Sequence, residues 1–388
     1  MTNTMFDVCI IGAGPAGLSL AKLLSGQGRT IAILERQPLT AIEKPAFDGR
    51  EIALTQHSMS LLSEMGVVPH FKKDEYAALN AATVLNGHSK YSLDFAPPPS
   101  SNKGLGFMVS NHAIRRGLYE EVKHLADVTL ITDVELQSID NHTDHIQITT
   151  KSSQPIKSRL LVAADSRFSA TRKQIGIGAK MTDFGRSMLV CRMSHAQPHR
   201  DTAYEIFDIG QTLALLPLAG DCSSVVITLP TPEIEALLAL DATDFTHAME
   251  QRLKYKFGAM ELVSDRFAYP LVAVYADCFI ADRFALIGDA AVGMHPVTAH
   301  GFNLGLLGAE TLANQIAKVS DAGAKKALVK FEQQHKRATL PLYLGSNAIA
   351  KLYADDRMPA RVVRSAGLRA ANLLKPMKRK VVSRLMNA

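Results

Sequence analysis

A glycine-rich turn near the amino terminus constrains the fold of this chain more than any other feature of its sequence. Residues 6–11 form an apolar, β-prone run, residues 12–17 read Gly-Ala-Gly-Pro-Ala-Gly, and residues 18–24 have the apolar spacing of a helix. In such a unit the first glycine permits a tight turn, the second lets backbone approach a pyrophosphate, and the third lets helix and strand pack closely. The sequence therefore predicts a Rossmann-like βαβ unit that binds a dinucleotide at the helix amino terminus.

An acidic residue completes this unit. A second apolar run, residues 30–34, ends in Glu35, 21 residues after Gly14, where a carboxylate can accept hydrogen bonds from ribose hydroxyls. The neighbouring Arg36 could suggest a 2′-phosphate, but the acid at the strand end argues against one. Arg36 is therefore interpreted as a cation over an adenine ring. These residues alone do not distinguish NAD from FAD.

A second strand–turn–helix pattern, far along the chain, favours a flavin. Residues 283–287 (RFALI) indicate another buried strand, Gly288 and Asp289 follow it directly, and a helical pattern begins beyond Gly301. An acid directly after a strand can accept hydrogen bonds from a polyol, and a helix amino terminus can face a ring that carries negative charge. A flavin needs both, because it has a ribityl chain and a pyrimidine edge that becomes anionic on reduction. The predicted dinucleotide is therefore FAD.

The two patterns, together with Ala164-Asp165-Ser166 between them, resemble the motifs of a known family. The sequence is similar to the single-component flavoprotein aromatic hydroxylases of the para-hydroxybenzoate hydroxylase fold, and specifically to their ubiquinone-biosynthesis branch. The resemblance covers essentially the whole chain. It implies an α/β protein with a Rossmann-like FAD-binding domain of the glutathione-reductase type, an inserted antiparallel β-sheet substrate domain, and carboxyl-terminal helices.

The resemblance also implies which residues bind the cofactor. Those for the ADP half of FAD would be Gly12, Gly14, Ala16, Gly17, Glu35, Arg36 and Leu136. Those for the phosphate and ribityl chain would be Arg50, Asn111 and Asp289. Asp165 would serve both FAD and NAD(P)H. The residues at the pyrimidine edge of the flavin would be Gly301, Phe302 and Asn303.

His295 and Pro296 are the candidate catalytic residues, because the resemblance places their loop beside the flavin. A role in shaping the backbone is at least as consistent with the sequence as proton transfer by His295. The chain departs from the family pattern at Ser166, where glycine is usual, and at 299–300, which read Ala-His in place of Gly-Gln. We expect these side chains to be tolerated, since the helix amino terminus supplies the main electrostatic effect.

Cysteine and histidine spacing argues against a metal site. The four cysteines lie far apart without a C-x-x-C pair, so a disulfide framework, a zinc ribbon and an iron–sulfur cluster are not expected. The histidine pairs at 142/145 and 195/199 lack supporting carboxylate or cysteine ligands.

No secretory leader and no apolar run of about 18 residues is found, so a cytoplasmic protein is expected.

Composition divides the chain into two lobes and a tail. Residues 181–264 contain short strand-like runs separated by Gly, Pro and Asp turns, which predicts an antiparallel sheet. The predicted FAD-binding domain comprises residues 1–73, 100–180 and 275–345. The predicted substrate domain comprises residues 74–99 and 181–274. Residues 346–388 are predicted to form basic amphipathic helices.

The net positive charge of the chain comes entirely from its last 32 residues. The whole chain has 43 basic and 37 acidic residues, but residues 357–388 hold nine basic residues and no acid, which leaves 34 basic and 37 acidic elsewhere. This distribution argues against nucleic-acid binding and favours one local anionic partner. We expect the tail to dock on the inner face of the cytoplasmic membrane or on a ubiquinone-biosynthesis complex. Packing of the tail on the FAD lobe is the alternative.

The family resemblance implies an NAD(P)H-dependent FAD monooxygenase. NADPH or NADH would reduce FAD, O₂ would give a C4a-hydroperoxide, and an electron-rich ring would take its distal oxygen. The expected substrate is lipophilic, a polyprenylated phenol or quinol of the demethoxyubiquinol type. Two alternatives stay open: a hydroxylase of a small soluble aromatic compound, and a flavin-binding partner protein without turnover in a biosynthetic complex.

Overall fold

The computed structural model describes residues 5–87, 92–98, 103–151, 154–296, 300–354 and 357. The strands in these ranges are β1 (Met5–Ile11), β2 (Ile31–Leu34), β3 (Glu51–Thr55), β4 (Tyr76–Leu79), β5 (Ala81–Asn86), β6 (Ser92–Phe95), β7 (Gly106–Ser110), β8 (Val128–Ile131), β9 (Leu136–Asn141), β10 (Ile146–Thr150), β11 (Ile156–Ala163), β12 (Ala179–His195), β13 (Thr202–Asp208), β14 (Gln211–Pro217), β15 (Cys222–Pro230), β16 (Met260–Leu262), β17 (Phe267–Ala276), β18 (Ile280–Ala281), β19 (Phe284–Leu286) and β20 (Val292–Gly293). The helices are α1 (Pro15–Leu24), α2 (Leu39–Glu43), α3 (Gln56–Glu64), α4 (Asn111–Val122), α5 (Ala170–Gln174), α6 (Thr231–Ala239), α7 (Ala242–Arg252), α8 (Gly301–Ile316) and α9 (Lys325–Ala354), with short 3₁₀ turns at Val68–His70 and Gly288–Ala290.

The first lobe is built on a parallel sheet. Strands β19, β11, β1, β2 and β8 lie side by side in that order and run parallel, with antiparallel additions from β18, β10 and β9. All four residues of β2 are buried, as are residues 8–10 of β1, and such apolar runs are typical of parallel strands covered on both faces. Helix α1 packs against α4 and α8. The predicted Rossmann-like architecture is confirmed.

The carboxyl ends of these strands meet at one edge of the sheet. There β1 leads into Gly12, β2 into Glu35, β11 into Ala164, and β19 into the turn that begins at Gly288. In open parallel sheets ligands bind outside this edge. Gly12 has a φ of 108°, and a Cβ atom on it would lie 2.7 Å from the carbonyl oxygen of Ala164. Glycine is therefore required where the ends of β1 and β11 approach each other.

The second lobe is the predicted antiparallel sheet, which has nine strands. Their order is β20, β17, β12, β15, β14, β13, β5 and β6, with β16 added on β12. One neighbouring pair, β5 and β13, is parallel. Alternate residues of β12 to β15 form a core with α6 and α7, among them Leu189, Leu213 and Ile227. Because side chains alternate along a strand, the residues between them lie on the opposite face, which we call the inner face.

Several elements depart from the predicted domain limits, among them β4 and α9. Strand β4 pairs with β7 in a three-stranded sheet with β3, whereas β5 and β6 join the substrate sheet. Helix α9 runs without a break across the limit placed at 345, because buried side chains recur along it at Phe331, His335, Tyr343 and Ala350. The basic helices predicted beyond it, in residues 358–388, lie outside the described residues. Within the described ranges, no helix is long and apolar enough to cross a membrane.

Candidate functional site

A cavity of about 1190 Å³ lies between the carboxyl edge of the parallel sheet and the inner face of the substrate sheet. It exceeds the roughly 300–1,000 Å³ of a typical small-molecule site, as expected where a dinucleotide and a second molecule share one space. The sequence-derived candidates that line it are Gly12, Gly14, Ala16, Glu35, Arg36, Arg50, Asn111, Leu136, Asp165, Asp289, His295, Pro296, Gly301 and Phe302. Two candidates, Gly17 and Asn303, do not line it.

The amino terminus of α1 opens into this cavity. Gly14 is its N-cap, no side chain of the described residues caps the helix, and a Cβ atom on Gly14 would meet nothing within 4 Å. The N–H groups of the first turn and the positive end of the helix dipole can therefore receive an anion. Gly17 has a different role, since a Cβ atom there would lie 2.0 Å from the carbonyl oxygen of Gly12. Gly14 leaves room for a ligand, and Gly17 lets α1 pack on β1.

The backbone holds the carboxylate of Glu35 in place at the end of β2. Its Oε2 accepts a hydrogen bond from the N–H of Ala13 at 2.7 Å, and its Oε1 accepts one from the N–H of Gln37 at 2.8 Å. Each carboxylate oxygen has a second lone pair, so both can still accept a hydrogen bond from a ligand hydroxyl. Arg36 and Leu136 line the same cavity. This is the part of the wall that suits a ribose and a base.

A hydrogen-bonded loop, residues 48–50, faces the beginning of α4. The carboxylate of Asp48 accepts hydrogen bonds from the guanidinium of Arg50 at 2.5 and 3.0 Å and from the side-chain amide of Asn111 at 2.8 Å. Burial alone would raise the pKa of Asp48, but these bonds and the charge of Arg50 hold it below its usual value. Tyr269 of the substrate sheet donates to the Asp48 carbonyl at 2.7 Å. The loop therefore links the two lobes.

A second arginine, Arg115, lies one turn along α4 from Asn111 and lines the cavity. Burial lowers the pKa of Arg115, whereas the nearby negative charges of Asp48 and Glu35 act to raise it. An arginine stays charged in proteins. No hydrogen bond or ion pair from the described residues reaches its guanidinium. Arg115 was not predicted from the sequence as a site residue, although the spacing i, i+4 from Asn111 places both on one helix face.

Two acids follow β11 and β19 and face the cavity. Asp289 accepts two hydrogen bonds from Arg167 on one oxygen, at 2.8 and 3.2 Å. Arg167, which was also not predicted from the sequence, donates to the carbonyl of Val272 as well and so joins Asp289 to the substrate sheet. Asp165 accepts a bond from Thr171 at 3.1 Å through Oδ2, while its Oδ1 is buried without a partner among the described residues. A buried oxygen of this kind calls for a donor from a bound group.

Helix α8 brings its amino terminus to the cavity at Gly301, where a Cβ atom would again meet nothing within 4 Å. Phe302 lines the wall beside it. Asn303, which the resemblance assigns to the flavin edge, has its side chain against β3: the amide donates to the Ala53 carbonyl at 2.8 Å, and the oxygen accepts from the Thr55 N–H at 3.1 Å. Its observed contacts hold α8 against β3.

His295 and Pro296 line the cavity near the substrate sheet. The His295 ring meets Phe184 edge-on, with ring centroids 4.7 Å apart. Burial lowers the pKa of His295 to about 4, so its imidazole is neutral at pH 7. The catalytic role of this residue stays a prediction.

In the part of the chain that the structure describes, no three His, Cys, Asp or Glu residues gather as metal ligands do.

These residues fit FAD. A diphosphate suits the uncapped start of α1 and the Arg115 guanidinium, and a polyol suits Asp289. A donor group would satisfy the buried oxygen of Asp165. The start of α8 at Gly301 offers positive charge to a ring that becomes anionic.

Comparison with known proteins supports FAD as the cofactor. Residues 5–340 match the model of a family described as FAD binding domain. A ubiquinone hydroxylase, UbiM of Neisseria meningitidis, is 42% identical, and the alignment covers 98% of this chain and 84% of that protein. The 3-demethoxyubiquinol 3-hydroxylase of Escherichia coli is 24% identical over 98% of each chain.

Solved structures share the fold. PqsL of Pseudomonas aeruginosa, a probable FAD-dependent monooxygenase, superposes with a TM-score of 0.79 at 20% identity, covering 95% of this chain and all of that one. The p-nitrophenol 4-monooxygenase PnpA of Pseudomonas putida gives 0.78 at 16% identity, covering 99% of each. With the family match over residues 5–340 and a dinucleotide cradle built as FAD requires, this chain belongs to the FAD-binding domain family and is an FAD-dependent monooxygenase.

Proposed function

We propose that this enzyme hydroxylates the ring of a polyprenylated phenol or quinol of the demethoxyubiquinol type. The observation that carries the proposal is the apolar wall that the substrate sheet adds to the FAD cavity. Its apolar inner-face residues are Met188, Val190, Phe207, Ala214, Leu216 and Val226. An aromatic ring with an apolar chain offers surface that such a wall can bury. The names of the ubiquinone hydroxylases among its relatives support the same substrate class.

The chemistry divides between cofactor and protein. FAD, reduced by NADPH or NADH, supplies the activation of O₂ for ring hydroxylation. The first turn of α8, at Gly301, offers partial positive charge that stabilises negative charge on a bound ring system. The inner face of the substrate sheet positions the aromatic ring and excludes water from it. Arg167 hydrogen-bonds Asp289, and Asp48 hydrogen-bonds Arg50. These bonds fix the polar side chains on the cavity walls of the two lobes.

Turnover of a short-chain substrate tests this proposal. The purified, FAD-loaded enzyme receives NADH or NADPH and a short-chain demethoxyubiquinol analogue under air, and products are identified by mass spectrometry. We expect one oxygen atom added to the ring at a single position. Reduced cofactor consumed only to hydrogen peroxide, with quinols and with soluble phenols alike, would contradict ring hydroxylation. Hydroxylation of a soluble phenol alone would instead establish a hydroxylase of small aromatic compounds.

We further propose that the enzyme binds the anionic inner face of the cytoplasmic membrane through residues 357–388. This segment holds nine basic residues and no acid. Helix α9, which leads toward it, exposes Leu344 and Ile349 by 58% and 38%, and its Tyr353 lines the cavity. A lipophilic substrate could then pass from the bilayer to the cavity beside the end of α9.

Deletion of residues 358–388 is expected to abolish co-sedimentation with vesicles that contain anionic lipid. Each basic residue near such a surface contributes about 1 kcal/mol, so loss of eight should reduce binding by orders of magnitude. Turnover of a soluble short-chain analogue should persist. Charge removal at the far end of α9, in a K325Q/K326Q/K330Q variant, is the control and should leave vesicle binding near that of the full chain. Equal sedimentation of deletion variant and full chain would show that another surface binds the membrane.

A further inference from the structure

One acidic side chain interrupts the apolar inner face of the substrate sheet. Glu205 lies on β13 and lines the cavity, two residues from Phe207 on the same face. Its partners across the sheet are Val84 on β5 and Ala214 on β14, both apolar. Among the described residues, it is the sole carboxyl group that this sheet contributes to the cavity wall.

The carboxyl group of Glu205 has no partner of its own. No hydrogen bond or ion pair from the described residues reaches it, and burial raises its pKa to about 8. Arg186, the basic residue of this sheet in the cavity wall, donates instead to the Gly210 carbonyl at 2.7 Å. Glu205 is half-buried in the cavity wall, and an unpaired carboxyl group partly removed from water in a cavity is a candidate for contact with a ligand.

The described residues next to Glu205 are uncharged, so its raised pKa keeps the carboxyl largely neutral at pH 7. Strand β5 has no charged residue, and the β14 residues in the cavity wall are Thr212, Ala214 and Leu216. Helix α9 brings Tyr353, whose ring stacks on Phe207 with centroids 3.6 Å apart. A neutral carboxylic acid can accept a hydrogen bond through one oxygen and donate one through the other.

We propose that Glu205 hydrogen-bonds a free hydroxyl group on the aromatic ring of the substrate and thereby selects phenols and quinols over their ethers. This inference rests on the proposed function for the identity of the substrate. A ring hydroxyl satisfies this carboxyl group, whereas an O-methyl group in its place leaves the carbonyl oxygen without a donor. Sites that hydrogen-bond a substrate hydroxyl discriminate strongly against analogues that lack it, because the protein group is then left unpaired.

Ligand binding without turnover tests the proposal directly. The FAD-loaded enzyme is titrated anaerobically, without NAD(P)H, with a short-chain methoxyphenol and with its O-methyl ether, and the change in the flavin absorbance spectrum gives both dissociation constants. We expect the wild type to prefer the phenol by about tenfold or more. E205L should bind the two ligands equally, and E205Q, which keeps a donor and an acceptor, should retain part of the preference. E261Q, which removes an exposed acid from β16 of the same sheet, is the matched control and should behave as wild type.

The pH dependence of unfolding provides a second measurement. A carboxyl whose pKa is raised on folding stabilises the protein fully below its ordinary value and loses that contribution as pH rises through the raised value. The wild-type melting temperature should therefore fall between about pH 4.5 and pH 8 by more than that of E205Q. Equal slopes for the two proteins would show that Glu205 is not held neutral and would overturn the proposal.

The outcomes separate this inference from the proposed function. If E205L keeps normal FAD content and the full preference for the phenol, the role of Glu205 is overturned, while hydroxylation of a quinol by the wild type can still stand. If the wild type hydroxylates no quinol but its preference for the phenol disappears in E205L, the proposed substrate is wrong and the Glu205 contact stands.

Discussion

One added methyl group at Gly17 is expected to remove both stability and FAD from this enzyme. In a Gly17→Ala variant the new Cβ atom would lie 2.0 Å from the carbonyl oxygen of Gly12 and 3.3 Å from a side-chain carbon of Ile10. The first contact is with backbone, which cannot rotate away, so α1 must move off β1. Overpacking in a core costs about 1–3 kcal/mol and sometimes more, and this contact belongs at the upper end. Urea unfolding and the flavin absorbance of the purified protein measure the two effects.

The matched control is Gly14→Ala, three residues away. Gly14 has φ −75° and ψ 178°, which alanine adopts readily, and a Cβ atom there meets no protein atom within 4 Å. The free energy of unfolding without cofactor should stay within about 0.5 kcal/mol of wild type. FAD affinity should fall, because the methyl group occupies the cradle where backbone approaches the pyrophosphate. Wild-type stability and flavin content in Gly17→Ala would refute the packing argument.

The second large effect is expected at Arg115. An Arg115→Met variant should bind FAD about 10- to 100-fold more weakly, since a hydrogen bond to a charged group contributes about 1.5–3 kcal/mol. The guanidinium makes no hydrogen bond to the described residues, so stability without FAD should change little. Equilibrium titration of the apoprotein with FAD measures the affinity, and thermal unfolding of the same apoprotein measures the stability. An unchanged FAD dissociation constant would exclude Arg115 from the cofactor site.

The adjacent Arg116 is expected to affect stability and not FAD affinity, the reverse of what is expected at Arg115. Arg116 lies outside the cavity wall and pairs with the buried carboxylate of Glu75 through two hydrogen bonds, at 2.5 and 2.9 Å. Burial alone would raise the pKa of Glu75, but the Arg116 bonds and the Lys72 N–H lower it to about 2. An Arg116→Met variant leaves this charge without its main partner, and breaking a buried pair costs about 3–5 kcal/mol. It should lose stability while the folded protein keeps its FAD affinity.

The FAD-binding unit could be predicted from the sequence because its determinants are local. A strand, a glycine turn, a helix and an acid occupy residues 6–35, and the tightest glycine contact, between Gly17 and the Gly12 carbonyl, lies within that segment. The turn at Gly288 and Asp289, directly after β19, could be predicted for the same reason, because the strand and the turn are adjacent in sequence. Apolar runs bounded by turns likewise indicated the strands of the substrate sheet, from β12 to β15. Periodicity and turn chemistry act over a few residues, so they can be read without the fold.

Contacts between distant segments could not be predicted in this way. Arg167 and Asp289 are 122 residues apart and meet because β11 and β19 are neighbours in the sheet. Asn303 bonds β3, about 250 residues earlier, a contact that its position in a motif did not reveal. Helix α9 continues past residue 345 because buried positions extend along it, and that burial depends on the packed lobes.

The sequence by itself determined that this chain forms a dinucleotide-binding βαβ unit and that its second strand–turn–helix pattern suits a flavin. Only the tertiary structure decided which polar groups face the shared cavity. Glu205 and Phe207 alternate with Ile206, and nothing in the order of these residues says which face lines the cavity and which meets α6 and α7. A strand presents two equivalent faces until other elements cover one of them, so the chemistry of the substrate wall is a property of packing.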